Sequence, residues 1–203
     1  MSARTPAGAP WSWGVRVAVA AATTWTLLGL DSVLRPGEHD ERDPFLLVPW
    51  LLTMAAITAI HRRQAAADRR LERWSYRALM VTMTAVALGQ VGIVFDVALL
   101  KATAFPTGPL LWILAMVPFG VTTVRARVFP RSVGVALALL EPGSILTGVA
   151  LSPIAGLAER GAYSGALEKG LVLALIARAL LQQERGRRDV AEVGTGEPAA
   201  VRG

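Results

Sequence analysis

A carboxylate, an ammonium and an amide stand inside long apolar runs, where each is expensive. Glu141 lies in LALLEPGSILTG (137–148), with Pro142 and Gly143 directly after it. An acid at the centre of an apolar membrane helix costs about 2.5–3.5 kcal/mol, so it must face protein or water rather than lipid. Pro142 removes one backbone donor and frees the carbonyl of Ala138, and Gly143 lets a neighbouring helix come close. Free carbonyl, carboxyl group and close packing together describe a small polar pocket able to take a proton or an ion. The competing reading is a kinked packing helix in which Glu141 holds two helices together.

Companions follow from depth. Gln90 falls mid-run. Asp96 and Lys169 lie about 6 Å and 10 Å from the same end of their runs, so Lys169 reaches towards either Asp96 or Glu141. Glu168 and Lys169 are adjacent, about 100° apart on a helix, and do not pair with each other. The candidate proton-coupling or binding set is therefore Glu141, Gln90, Asp96, Glu168 and Lys169, with interhelical glue as the alternative role.

The elements that must position these groups are membrane helices. Of 203 residues, 53% are hydrophobic and 18% charged, with mean hydropathy +0.46. Six runs have roughly the 17–25 residues a bilayer needs: 13–34, 44–61, 78–100, 109–126, 131–152 and 162–182. The expected fold is all-α, a bundle of six transmembrane helices kinked at Pro118 and Pro142, with a short N-terminal segment 1–12 and a structureless tail 183–203. The first run continues past Trp25 and Leu28 without a small-residue cleavage site after it, so it reads as a span rather than a cleaved leader. No internal repeat is defensible.

Charge sets the orientation. The net charge is +6, yet the basic residues are cut into clusters by apolar runs, which excludes a nucleic-acid surface. Arg62, Arg63, Arg69, Arg70, Arg73 and Arg77 lie between runs two and three. Arg125, Arg127 and Arg131 follow run four, and Arg185, Arg187, Arg188 and Arg202 lie in the tail, with Arg4 at the start. The other loops hold only Arg35, Arg42, Lys101 and Arg160. The positive-inside rule then puts both termini in the cytoplasm of a multi-pass cell-membrane protein, whose arginine loops face anionic lipid. Trp11, Trp13, Trp50, Trp74, Tyr76 and Trp112 fit the headgroup level. Arg16, Asp31 and Arg178, near run ends, can snorkel to water and receive no role.

Small residues form stripes: Gly89 and Gly92; Gly134 and Ala138; Gly161, Gly165, Ala166 and Gly170. They fit close packing within the bundle, the alternative being a homodimer face or a membrane partner protein.

Composition adds a source. Nearly all the basic residues are arginine, with Lys101 and Lys169 the only lysines, and Ala, Val and Gly are abundant, as expected of a high-GC bacterial genome. The stretch FGVTTVRARVFPRSVGVAL (119–137) resembles a pattern in uncharacterised actinobacterial polytopic membrane proteins: a span, a short Arg-containing turn, a Pro-Arg pair, and a following span that opens with Gly. The resemblance implies a multi-pass membrane protein and no activity.

Much chemistry is missing. Cysteine is absent. His39 and His61 fall on opposite sides, which argues against a shared haem or metal site, and no cofactor is implied. The loop 38–43 reads as a solvated acidic-basic stretch. Gly194-Thr195-Gly196 lacks the lysine and preceding strand of a phosphate loop. No serine–histidine arrangement and no pair of acids with catalytic spacing occurs. The sequence thus favours a small proton- or ion-coupled permease or solute-binding membrane protein. A non-catalytic scaffold or accessory subunit, with Arg-rich loops on anionic lipid or a partner, is the alternative. A lipid-acting membrane enzyme comes third.

Overall fold

The computed structural model describes residues 12–36, 41–65, 70–104, 107–151, 153, 163 and 165–195. Among these the chain is all-helical, with no strand. The helices are α1 (Trp13–Leu34), α2 (Arg42–Gln64), α3 (Arg70–Val94), α4 (Ala98–Ala104), α5 (Thr107–Ala126), α6 (Arg131–Leu151) and α7 (Ala166–Thr195). Four of them, α1, α2, α3 and α6, are long and apolar enough to cross a membrane, and α5 has a shorter apolar part, Leu110–Ala126.

Each helix packs on its neighbours in sequence, and α1 closes the circle against α7. The reason is visible in the spacing of the buried residues. On α1 they are Ala18, Ala21, Ala22, Trp25, Leu28, Gly29 and Ser32, a stripe with helical period. On α6 they are Val133, Gly134, Leu137, Leu140, Glu141 and Ser144. The outward faces are apolar as well: Val81 is 71% exposed, Leu114 70% and Leu146 67%. A largely apolar exterior around an interior containing charged groups is the reverse of a water-soluble domain and suits hydrocarbon surroundings.

The turn after α3 reshapes the expected run 78–100. Val97 N–H bonds to the Gly92 carbonyl at 2.8 Å and Asp96 N–H to that of Ile93 at 3.4 Å, while Asp96 takes the left-handed conformation at φ 57°. This is a Schellman ending, with Asp96 in the position glycine usually fills. Residues 98–104 then form α4, which turns back alongside α3. Side chains at Gly92 and Gly89 would run into Leu100 and Ala104, and Gly108 lies against Val86. Ser75 meets Thr122 at 3.2 Å further on, so α4 and α5 both descend antiparallel to α3.

Glycine sets the closest approaches. A methyl group at Gly134 would lie 2.6 Å from the Gly120 carbonyl oxygen, and one at Gly120 2.5 Å from that of Gly134. Gly29 meets the Leu167 backbone at the α1–α7 seam, and Gly165 meets Ser144 between α6 and α7. The small-residue stripes at 89/92, 134/138 and 165/170 thus face neighbouring helices of the same chain; Gly161 lies outside the described residues. Pro49, Pro118 and Pro142 all sit within helices that continue through them.

One end of the bundle gathers the basic residues. Arg63 pairs with the buried Glu184 of α7 at 3.1 Å, and Ser12 N–H reaches the same carboxyl at 3.4 Å. His61 Nδ1 lies 2.8 Å from Glu72, its ring stacked on Tyr76 at 3.8 Å. Arg62 lies over Trp13, and Arg77 over Trp74. Arg70, Arg73, Arg125, Arg127 and Arg131 are exposed at this same basic end, with Arg127 in the left-handed conformation at φ 55°. Arg69, Arg4 and the N-terminal segment as far as residue 11 lie outside the described residues. The tail expected from 183 is instead helical as far as Thr195, since Glu184 is buried and anchored to α2; residues 196–203 lie outside the described residues.

The opposite end is fastened by Arg42. It is 2% exposed and donates from Nε to the Asp31 carboxylate at 2.9 Å and from Nη2 to the Asp31 backbone carbonyl at 3.1 Å, joining α1 to α2. Arg35 pairs with both Asp31 and Glu41. Residues 37–40 of this loop, His39 among them, lie outside the described residues.

Gly134→Ala is expected to destabilise the bundle by about 1–3 kcal/mol through forced separation of α5 and α6. Gly148→Ala, on the same helix with open space around it, is expected to be neutral or stabilising by up to about 1 kcal/mol. Thermal unfolding of the two variants in one detergent, followed by circular dichroism, checks this contrast.

Candidate functional site

Four helices bring the site together. α6 places Glu141 on the buried stripe of Leu137, Leu140 and Ser144, and α7 places Lys169 on that of Ala166, Leu173 and Ile176. Both side chains therefore point inward, at 5% and 8% residue exposure. Lys169 Nζ lies 2.8 Å from Glu141 Oε2. The same ammonium sits 4.8 Å from the ring centre of Trp25 on α1 and 4.5 Å from that of Trp112 on α5. A cation between two indole faces inside a dry interior is attracted by both ring quadrupoles, each worth on the order of 1–2 kcal/mol when desolvated.

The indoles are themselves fixed. Trp25 donates from Nε1 to Thr53 Oγ1 at 2.8 Å, and that hydroxyl donates to the Pro49 carbonyl at 2.7 Å. Trp50 donates to the Met83 carbonyl at 2.9 Å and meets Trp112 edge-on at 4.2 Å and Trp25 at 6.5 Å. The result is an aromatic box with one ammonium and one carboxylate in it. Trp112 Nε1 is buried with no hydrogen-bond partner. Trp50 and Trp112, expected at headgroup level, thus belong to the core, at 4% and 1% exposure. An indole suits either place, and only its helical phase decides between them. Trp13 and Trp74 are exposed beside arginines at the basic end. Trp11 lies outside the described residues.

Glu168 supplies a second carboxyl. Its side chain lies over Gly143, where an added methyl would meet Glu168 Oε1 at 2.6 Å, so the missing side chain at Gly143 makes room for an acid rather than for a helix backbone. The charges acting on Glu168 are those of Lys169 and Glu141, and its buried Oε2 has no hydrogen-bond partner. One carboxyl group thus pairs with the ammonium, and a second, partly buried, lies near both.

The other expected members stand apart. Asp96 is in the α3–α4 turn with an 88% exposed side chain and pairs with Lys101, whose ammonium holds the Asp96 carboxyl below its usual range. It does not meet Lys169, because the Schellman turn ends α3 before that position and aims the side chain outward. Gln90 is buried on α3 with Oε1 unpartnered, and no hydrogen bond or ion pair joins it to Glu141 or Lys169. Trp25, Trp50, Trp112 and Thr53 are the site residues that reasoning from charge alone passes over. The signal for them was present: each falls in phase with the buried stripe of its own helix.

Among the described residues no group of three or more His, Asp or Glu side chains could hold a metal ion. Compared with known proteins, the chain matches no family model, no curated protein and no solved structure.

Lys169→Met leaves two acids without a counter-charge and is expected to cost on the order of 3–5 kcal/mol, the usual effect of breaking one side of a buried pair. Adding Glu141→Gln to it is expected to recover most of that loss. Thermal unfolding in detergent, with tryptophan fluorescence as a second probe because Trp25 and Trp112 line the box, reads both outcomes.

Proposed function

We propose that this chain is a multi-pass protein of a bacterial cell membrane that takes up a proton or a small cation at the Glu141–Lys169–Glu168 cluster, as a small proton- or ion-coupled permease or solute-binding protein does. One observation carries the reading: beside the buried Glu141–Lys169 pair lies a second, partly buried carboxyl, Glu168, whose Oε2 is enclosed and without a hydrogen-bond partner. With all three ionised the site is one positive charge short of neutral, and an uncompensated charge in a low-dielectric interior is costly. A proton or monovalent cation restores the balance, and Glu168 is the group it would join.

The reading includes six membrane crossings with both termini in the cytoplasm. Three features support it: four helices of full spanning length, an α4–α5 segment and an α7 completing the circle, and arginines collected at one end together with Ser12 and Glu184. α7 falls outside a purely apolar span because Glu168, Lys169 and Arg178 lie in it. In a bundle interior or near a membrane end, such residues are tolerated.

A scaffold or accessory subunit is the second reading, favoured by the exposed Arg70, Arg73, Arg125 and Arg127 at the basic end, which suit anionic lipid or a partner protein. Arg62 and Arg63 serve this surface less, since one lies over Trp13 and the other is paired with Glu184. The readings separate experimentally. The protein in lipid is titrated with protons and, separately, with Na⁺ and K⁺, while its tryptophan fluorescence is followed. The permease reading expects a response in the native protein that is lost in Glu168→Gln with helix content unchanged. A flat native response, together with loss of binding to anionic vesicles when the four arginines become glutamine, would establish the scaffold instead.

A further inference from the structure

A groove of about 440 Å³ runs along the seam of α1 and α7 on the outside of the bundle. Its walls are Val15, Val19, Ala22, Thr23, Thr26 and Leu27 on one side and Ala174, Ala177, Arg178 and Leu181 on the other. From Val15 to Leu27 is twelve residues of helix, about 18 Å, close to half of a hydrocarbon core about 30 Å thick. The groove therefore has the length of one leaflet and the apolar walls an acyl chain needs.

One cation lines it. Close contacts of Gly29 with Leu167 and of Gly170 with Thr26 fix the register of the two antiparallel helices. That register sets Arg178 level with Ala18 and Val19, near the basic end of the groove. Arg16 is exposed and lies on the α1 stripe of Thr23 and Leu27, at the lip of the same groove. Neither arginine side chain has a hydrogen-bond or ion-pair partner among the described residues. Two unpaired guanidinium groups where an apolar groove reaches the basic end complement a phosphate there, and their long stems allow them to rise to it.

We propose that the α1–α7 groove is a binding site for one anionic phospholipid of the leaflet at the basic end, with an acyl chain along the groove and its phosphate held by Arg178 and Arg16. Lys169 lies on α7 beside Gly170, which packs on Thr26 in the wall of this groove, so the lipid would rest against the helix pair that carries the ammonium.

The test uses the full chain purified in non-ionic detergent from vesicles of equal phosphatidylglycerol and phosphatidylcholine, with retained lipid identified by mass spectrometry and counted by phosphorus. The native protein is expected to retain about one phosphatidylglycerol in preference to phosphatidylcholine. R16Q/R178Q, at exposed positions, is expected to lower that retention by roughly tenfold or more, given the usual attraction of each basic residue for anionic lipid. R16K/R178K is expected to keep most of it. Ala174→Trp, which fills the groove without touching the charges, is expected to lower it as well. Equal retention of both lipids by the native protein would overturn the site, as would unchanged retention in both R16Q/R178Q and Ala174→Trp at native helix content. Displacement of the lipid by millimolar inorganic phosphate alone would show an anion site without a chain-binding groove and would equally overturn it.

Discussion

The contact between the Lys169 ammonium and the Glu141 carboxylate is the constraint from which the rest of the packing follows. An ion in an apolar interior persists only when its charge is met on most sides. Here a carboxylate at 2.8 Å and two indole faces at 4.5 and 4.8 Å surround one ammonium. These groups arrive from α1, α5, α6 and α7, so four helices have to converge at one depth. Glycine makes that convergence possible at each seam: Gly29 and Gly170 between α1 and α7, Gly120 and Gly134 between α5 and α6, and Gly165 between α6 and α7. The hydrogen bonds of Trp25 and Trp50 then hold the box open in one shape.

Polarity is arranged accordingly. Leucine and valine dominate the outward faces, while Thr53, Gln90, Thr123, Glu141 and Lys169 turn inward. The ends differ in character. The basic end is tied by Arg63–Glu184 and His61–Glu72, and the other by the buried Arg42 on Asp31. The bundle is thus fastened at both ends by polar side-chain pairs, with the Lys169–Glu141 pair set between aromatic walls inside it.

How much of this was legible in the sequence depends on which physical rule governed each residue. The helical class followed from the length and spacing of the apolar runs. That Glu141 and Lys169 turn inward followed from the cost of exposing charge to hydrocarbon, and their pairing followed in part from depth. Asp96 misled because depth alone ignores chain reversal: its backbone ends α3, and no hydropathy count reveals a left-handed residue. The tryptophans misled for another reason, since interface and core both suit an indole. Phase would have separated the cases, as Trp25, Trp50 and Trp112 all share the period of buried neighbours. The helical extension of α7 is held by tertiary contacts, Glu184 with Arg63 and Ser12 and Gln183 with the Val128 carbonyl, which nothing local in 183–195 announces. The place of Glu168 over Gly143 was less legible still, because it depends on how closely α6 and α7 approach, which no local pattern states.

The central claim is that hydrocarbon surrounds this bundle and the charged cluster is enclosed within it. Because the chain has no cysteine, a single cysteine can be introduced at each chosen position without first removing a native one. The direct measurement is spin labelling at Leu114, Leu146 and Leu175 on the outward faces and at Arg70 and Arg125 on the basic end. Collision rates are then recorded in lipid with oxygen and with a water-soluble nickel complex. The account predicts that the three leucine positions respond to oxygen and are shielded from nickel, while the two arginine positions respond to nickel. Strong nickel collisions at the leucine positions would mean that water bathes those faces, and an enclosed ion pair in a hydrocarbon-clad bundle would no longer describe this protein.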